Sequence, residues 1–187
     1  EMELMLKNVR IGFPHLFSAD EYEGSRAYTS KFFIVPGSAN DVAIREAINR
    51  EAKNMWPEKY EFFLEEFRMD KKAYCYIDGK RVDFAGAEGM WILTSRRKES
   101  DGRPLVIDQR KNPLAESDGK PYAGAFVNVK LSIYAQDGKN KGIRCSLQTV
   151  QFAADGDSFG GAKVGTVDGF DDISDTGESG SGDDDLV

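Results

Sequence analysis

The chain has 187 residues, with 25 Lys and Arg against 32 Asp and Glu, one His and two Cys. That length is enough for one domain with a real core. No run of 18 apolar residues is present to form a membrane-spanning helix, and one His without clustered Cys argues against a zinc centre. Charge is unevenly divided: residues 155–187 hold ten acidic residues and one basic residue, Lys163, leaving 24 basic and 22 acidic residues in 1–154. The net charge of −7 is thus an average over a mildly basic body and an acidic appendage. An acidic tail on a body that binds anions can act as a tethered competitor for the same site, so nucleic acid remains a live partner. The N-terminus lacks a basic start followed by an apolar stretch, and no secretory signal is expected. Cys75 and Cys145, each within an apolar run, read as buried, reduced thiols.

In chain order, residues 4–13 read as a first strand, followed by a polar loop with Asp20, Glu21, Glu23 and Gly24. A second strand over 28–35 stops at Pro36-Gly37. Ser38 or Asn40 can cap a helix whose Ile44, Ala47, Ile48 and Met55 follow a 3.6 period. Pro57 breaks it, and a shorter helix is expected over 58–67. The chain then reads as β over 73–77, 81–84 and 90–97, with a turn at Asp78-Gly79. Residues 98–123 are mostly turn signals. In 125–133 the apolar Ala125, Val127, Val129, Leu131 and Ile133 alternate with polar or aromatic positions, and 142–152 returns beyond a turn at Asp137-Gly138. Five or six strands with a helical insertion after the second predict a small, closed antiparallel barrel spanning 1–154. Residues 155–187, rich in Gly, Ser and Asp, are expected to be a disordered acidic tail.

If the odd positions of 125–133 point inward, the even ones place Phe126, Lys130 and Tyr134 in one outer row. Single-stranded nucleic acid needs this mixture of flat side chains for bases and cations for phosphates. Lys31 beside Phe33 makes a similar face, and Lys72, Tyr74 and Tyr76 make a third, with Trp91 a further stacking candidate. The alternative for each aromatic is that it covers a second layer such as the inserted helix. Arg96, Arg97, Lys98 and Arg110 belong to the densest basic stretch and could clamp phosphates, or stand on a solvated loop of mixed charge.

The segment 124–134, followed by Gly142-Ile143 and by Leu147-Gln148-Thr149-Val150-Gln151-Phe152, resembles the closing hairpin of tailed-phage single-stranded-DNA-binding proteins. The opening fits too, with Asn8-Val9-Arg10, Phe13-Pro14-His15-Leu16-Phe17 and the 31–36 strand. The resemblance implies an OB-fold body, sequence-tolerant binding of single-stranded DNA (ssDNA) in phage replication or recombination, and no cofactor. It further implies an acidic tail that competes with DNA and recruits replication or recombination proteins, a homodimer, and work in the cytoplasm of an infected bacterium. Duplex DNA becomes an expected partner once the tail is removed. Related tails commonly end in an aromatic residue, whereas this one ends Asp183-Asp184-Asp185-Leu186-Val187, with Phe170-Asp171-Asp172 as an earlier acidic-aromatic element.

An enzyme would need residues that the chain does not arrange. It has no Walker-type loop, no H-E-x-x-H and no G-x-S-x-G. His15, in an apolar setting, reads as partly buried and structural. Asp78, Asp83 and Asp108 make a poor case for a metal-dependent nuclease, and no metal or catalytic residue is expected. Two readings stay open beside ssDNA binding: an RNA or mixed nucleic-acid binder, and a phage structural or adaptor protein whose hairpin is an assembly surface.

Overall fold

The structure, a computed structural model, describes residues 1–159 and 167–174. Strand β1 runs over Met2–Tyr22 and β2 over Ser25–Ile34. The two-residue turn between them, Glu23-Gly24, has positive φ at both positions (50° and 77°), the twist that suits a tight hairpin. Helices α1 (Ala39–Met55) and α2 (Tyr60–Arg68) follow, then β3 (Tyr76–Asp78), β4 (Trp91–Lys98), β5 (Leu105–Ile107), β6 (Phe126–Gln136) and β7 (Gly142–Ala154).

Hydrogen bonding orders the strands β3-β4-β2-β1-β6-β7-β5, and a parallel pairing of Arg96 with Ser146 joins β4 to β7. Five strands therefore close on themselves in the order β1-β2-β4-β7-β6, with β4 and β7 the one parallel pair within the barrel. This is the OB-fold, with its helical insertion between the second and third barrel strands. β1 can serve two neighbours because it bends. Its first half pairs with β6 and its second half with β2, with register shifts after Leu6 and after Gly12. Leu6, Val9, Ile11, Phe32, Leu93, Val127, Val129, Leu131 and Leu147 fill the interior.

The β4–β7 seam is completed by the segment before β3. Ile143 donates its N–H to the Ala73 carbonyl (2.8 Å), Cys75 to that of Ile143 (3.1 Å), and Thr94 to that of Cys75 (2.8 Å). Cys75 and Cys145 are buried and free, and burial pushes the Cys75 thiol up to about 12. Helix α1 lies on β6 and β1, capped by Ser38, whose Oγ accepts from the Asp41 N–H at 3.2 Å.

Two expectations fail locally. The hairpin expected over 73–84 does not form, since β3 is three residues long and Gly79–Arg81 is a single 3₁₀ turn. β4 is already paired with β2 on one side and with β3 and β7 on the other, so 81–84 finds no free edge. Val82 and Phe84 pack by their side chains instead. Conversely, the turn-rich 98–123 stretch contains β5, three residues between Pro104 and Asp108 that pair in parallel with β7.

Candidate nucleic-acid interface

On an OB barrel, the outer face of the second and third barrel strands, with the loops beside it, is the surface that takes oligonucleotides. Here those strands are β2 and β4, and their register decides which side chains face out. Ser30–Ser95 and Phe32–Leu93 pair inward and are buried, so Thr29–Arg96 and Lys31–Thr94 pair outward. Lys31 lies half-buried on this face, its Nζ donating to Thr94 Oγ1 at 3.0 Å. Burial, with the nearby positive charge of Lys71, lowers the proton affinity of its ammonium. Arg96 is exposed and donates to Ser25 Oγ, and Lys98 follows two residues on, also exposed.

The neighbouring strand extends the patch. Arg144 of β7 pairs with Tyr134 of β6 and donates to the Lys72 carbonyl at 2.6 Å. Tyr134 is half-buried, and burial raises its hydroxyl pKa against the opposing pull of Arg144 and Arg96. On the β1 side the shift after Gly12 turns Phe13 outward in a left-handed conformation (φ 48°) and leaves it 47% exposed. An edge contact with Phe84, 5.1 Å between centroids, braces its ring. His15, expected to be partly buried, is exposed and opposite Thr29, because the same shift sends Leu16 rather than His15 into the core.

Several expected stacking residues are not available. Phe33 is 2% exposed, sealed by Phe84, by Phe159 and by Gly12, where a Cβ would sit 2.6 Å from its ring. Tyr74 and Tyr76 are buried because the seam segment lies between strands rather than on top of them. The Tyr76 hydroxyl donates to Asp41 Oδ1 at 2.6 Å. Trp91 is half-buried under the Arg45 guanidinium, 4.4 Å from its ring, at the α1 end of the barrel. Arg97 is spent on structure, donating to the carbonyls of Gly102 (2.8 Å), Asp101 (2.7 Å) and Leu147 (3.3 Å). Arg110 is exposed but belongs to the turn after β5, where Asp108 accepts from the Arg110 N–H at 2.8 Å.

Phe126, Lys130 and Tyr134 all face outward, as their alternation requires, each beside a different neighbour. Lys130 pairs with Glu3 at 3.3 Å. Phe126 lies opposite Arg10, whose guanidinium is 5.6 Å from its ring. In the tail, Phe170 is exposed, and Asp172 accepts from the Ser174 N–H and hydroxyl, which lower its pKa. Asp171 is exposed, while Asp183, Asp184, Asp185, Leu186 and Val187 lie outside the described residues. Arg10, Phe13 and Arg144 escaped the sequence reading as site residues. Arg144 was readable, since Ile143, Cys145 and Leu147 alternate inward around it.

Comparison with known proteins shows the family. The model of the family described as Enterobacter phage Enc34, ssDNA-binding protein, matches residues 2–182. The chain belongs to this family. A relative, protein p50 of Acyrthosiphon pisum secondary endosymbiont phage 1, is 35% identical over 177 residues, covering 92% of this chain and 95% of its own. The solved ssDNA-binding protein from bacteriophage Enc34 in complex with ssDNA shares the fold at a TM-score of 0.68. It is 24% identical, with 84% of this chain and 89% of that one covered. T7 gp2.5, a phage ssDNA-binding protein, shares it more distantly, at a TM-score of 0.54 and 13% identity over 86% of this chain and 90% of that one.

Proposed function

We propose that this member of the Enc34 family is a sequence-tolerant ssDNA-binding protein, non-enzymatic, of phage replication or recombination in an infected bacterium. Family membership over nearly the whole chain carries the reading. The outer β2–β4 face supports it chemically, because cations and open aromatic rings share one surface. Lys31, Arg96, Lys98 and Arg144 meet phosphates, and Phe13 and Tyr134 stack on bases.

The tail is the second part of the proposal. The tail is expected from sequence to start at 155, but Asp155 and Gly156 bond to Tyr122 and Phe159 bonds to Ala123, so the competing part is residues 160–187, with eight acidic residues and one basic one. They compete with DNA for the cationic face and recruit replication or recombination proteins through Phe170, Asp171, Asp172 and the Asp183–Val187 end. The working unit is a homodimer. Removing residues 160–187 should tighten ssDNA binding and admit duplex DNA.

Anisotropy titration of labelled oligo-dT against a range of salt concentrations tests the core of this. Four phosphate-neutralising cations imply a slope of log K against log salt of about −3. Absence of binding at low salt, or binding indifferent to salt, would contradict it.

A further inference from the structure

The strand β7 ends at Ala154, yet the chain does not leave the barrel there. The Tyr122 hydroxyl donates to the Asp155 carboxylate at 2.7 Å and accepts from the Gly156 N–H at 3.1 Å. Phe159 then donates its N–H to the Ala123 carbonyl at 3.1 Å. These bonds lay the ring of Phe159 on the outer row formed by Phe126, Arg10 and Phe33, which pair across β6, β1 and β2. The Arg10 guanidinium carbon lies 4.0 Å from the centroid of Phe159, and Phe33 lies 4.7 Å from it at a tilt of 51°. Gly86 makes a third wall, where a Cβ would come within 2.5 Å of the ring. The result is a slot one aromatic ring thick.

Arg10 is held for this task by the body of the protein, its Nε donating to the Gly124 carbonyl at 3.0 Å. Its Nη2 donates to the Asp157 carbonyl, which belongs to the same short segment as Phe159. Segment 157–159 therefore offers Arg10 two things together: a flat π face and a carbonyl acceptor. Thymine, cytosine and guanine offer the same two from one molecule, whereas adenine has no carbonyl. The slot also adjoins the cationic face. Arg10 pairs with Phe33, and Gly12, two residues on, pairs with Lys31. A strand whose phosphates follow Lys31 and Arg96 needs to turn only one base inward to reach it.

We propose that the slot filled by Phe159 is a pocket for a single unstacked nucleobase bearing a ring carbonyl, and that Phe159 with the Asp157 carbonyl occupies it in the free protein. The pocket rests on the ssDNA-binding reading and deepens it. DNA entry expels residues 157–159, so the fraction of protein with an open slot sets the apparent affinity.

The test uses the full chain with oligo-dT and oligo-dA of equal length, read by anisotropy, and amide hydrogen exchange of the wild type with and without saturating oligo-dT. On oligo-dT binding the Phe159 amide, bonded to Ala123 in the free protein, should lose protection. Phe159→Leu, which keeps apolar bulk over Phe33 but offers no π face to Arg10, should bind oligo-dT at least ~3-fold more tightly. Arg10→Gln should shrink the preference for oligo-dT over oligo-dA. Wild-type protein that binds oligo-dT while Phe159 keeps or gains protection overturns the pocket and leaves ssDNA binding standing. So does a Phe159→Leu variant that melts earlier with unchanged or weaker affinity, the behaviour of a structural lid. Wild-type protein that fails to bind oligo-dT at low salt overturns the binding function and the pocket with it. Should Phe159→Leu fail to fold, the exchange measurement on wild type decides alone.

Discussion

Asp41 shows how much of this fold rests on a few buried polar atoms. Its carboxylate, 5% exposed for the whole residue, accepts from the Tyr76 hydroxyl (2.6 Å), the Gly37 N–H (2.8 Å) and Arg45 Nε (2.8 Å). Burial alone would raise its pKa, but the Tyr76, Gly37 and Arg45 bonds together bring it below the ordinary carboxylate value. A folded-state pKa below that of the unfolded chain adds stability above about pH 4, and that stability is lost as pH falls through the folded value. Asp41→Asn should therefore cost about 2 kcal/mol near neutral pH. In urea denaturation at pH 7 and pH 3 the gap from wild type should narrow at the lower pH; a constant gap would mean that the charge is not what stabilises. Phe13 is the opposite kind of residue, about half of it open to solvent. Phe13→Ala should weaken oligo-dT binding by about 1–3 kcal/mol. The cost in fold stability should be no more than about 1 kcal/mol, the value of its edge contact with Phe84. Lost binding accompanied by a collapsed melting temperature would instead make Phe13 part of the scaffold.

At the scale of elements, what could be read from sequence was what depends on local period. The β6–β7 hairpin was legible because Ala125, Val127, Val129, Leu131 and Ile133 alternate over a long run, and all five are fully buried. α1 was legible from its Ser38 cap and its apolar stripe, and Ser38→Ala should cost about 1 kcal/mol. The 73–84 region was not legible, because its structure depends on which edges of β4 remain unpaired, a fact held by distant segments. The same distance hides Tyr74 and Tyr76: alternation gave them a common face, while α1 and the barrel seam decided that it was dry. Phe13 was hidden differently, since Pro14 interrupts the alternation that would have marked it. The seam makes its own prediction. A Cβ on Gly142 would collide with the Ala73 carbonyl oxygen, a backbone atom with no rotamer to yield. Gly142→Ala should cost about 3 kcal/mol in urea unfolding, and a loss under about 0.5 kcal/mol would show that the seam can spread.

Over the whole molecule, charge and topology solve one problem. A body close to neutral overall gathers Lys31, Arg96, Lys98 and Arg144 on one side of the barrel. Lys130, on the β6 side, is occupied with Glu3, and Arg97 is built into a turn. Local enrichment of cations, not net charge, makes such a face attractive to a polyanion. Net charge was thus a poor guide to the partner, and the division of charge between body and tail a better one. The most direct test of the account compares oligo-dT affinity at low salt for wild type, the double variant Lys31→Ala/Arg96→Ala, and Lys130→Ala, each checked for native melting. The account expects the double variant to lose about tenfold or more, equivalent to roughly 1.4 kcal/mol, with a shallower salt slope, and Lys130→Ala to stay near wild type. A double variant that binds like wild type, with Lys130→Ala impaired, would move the DNA path to the β6–β7 face and contradict it.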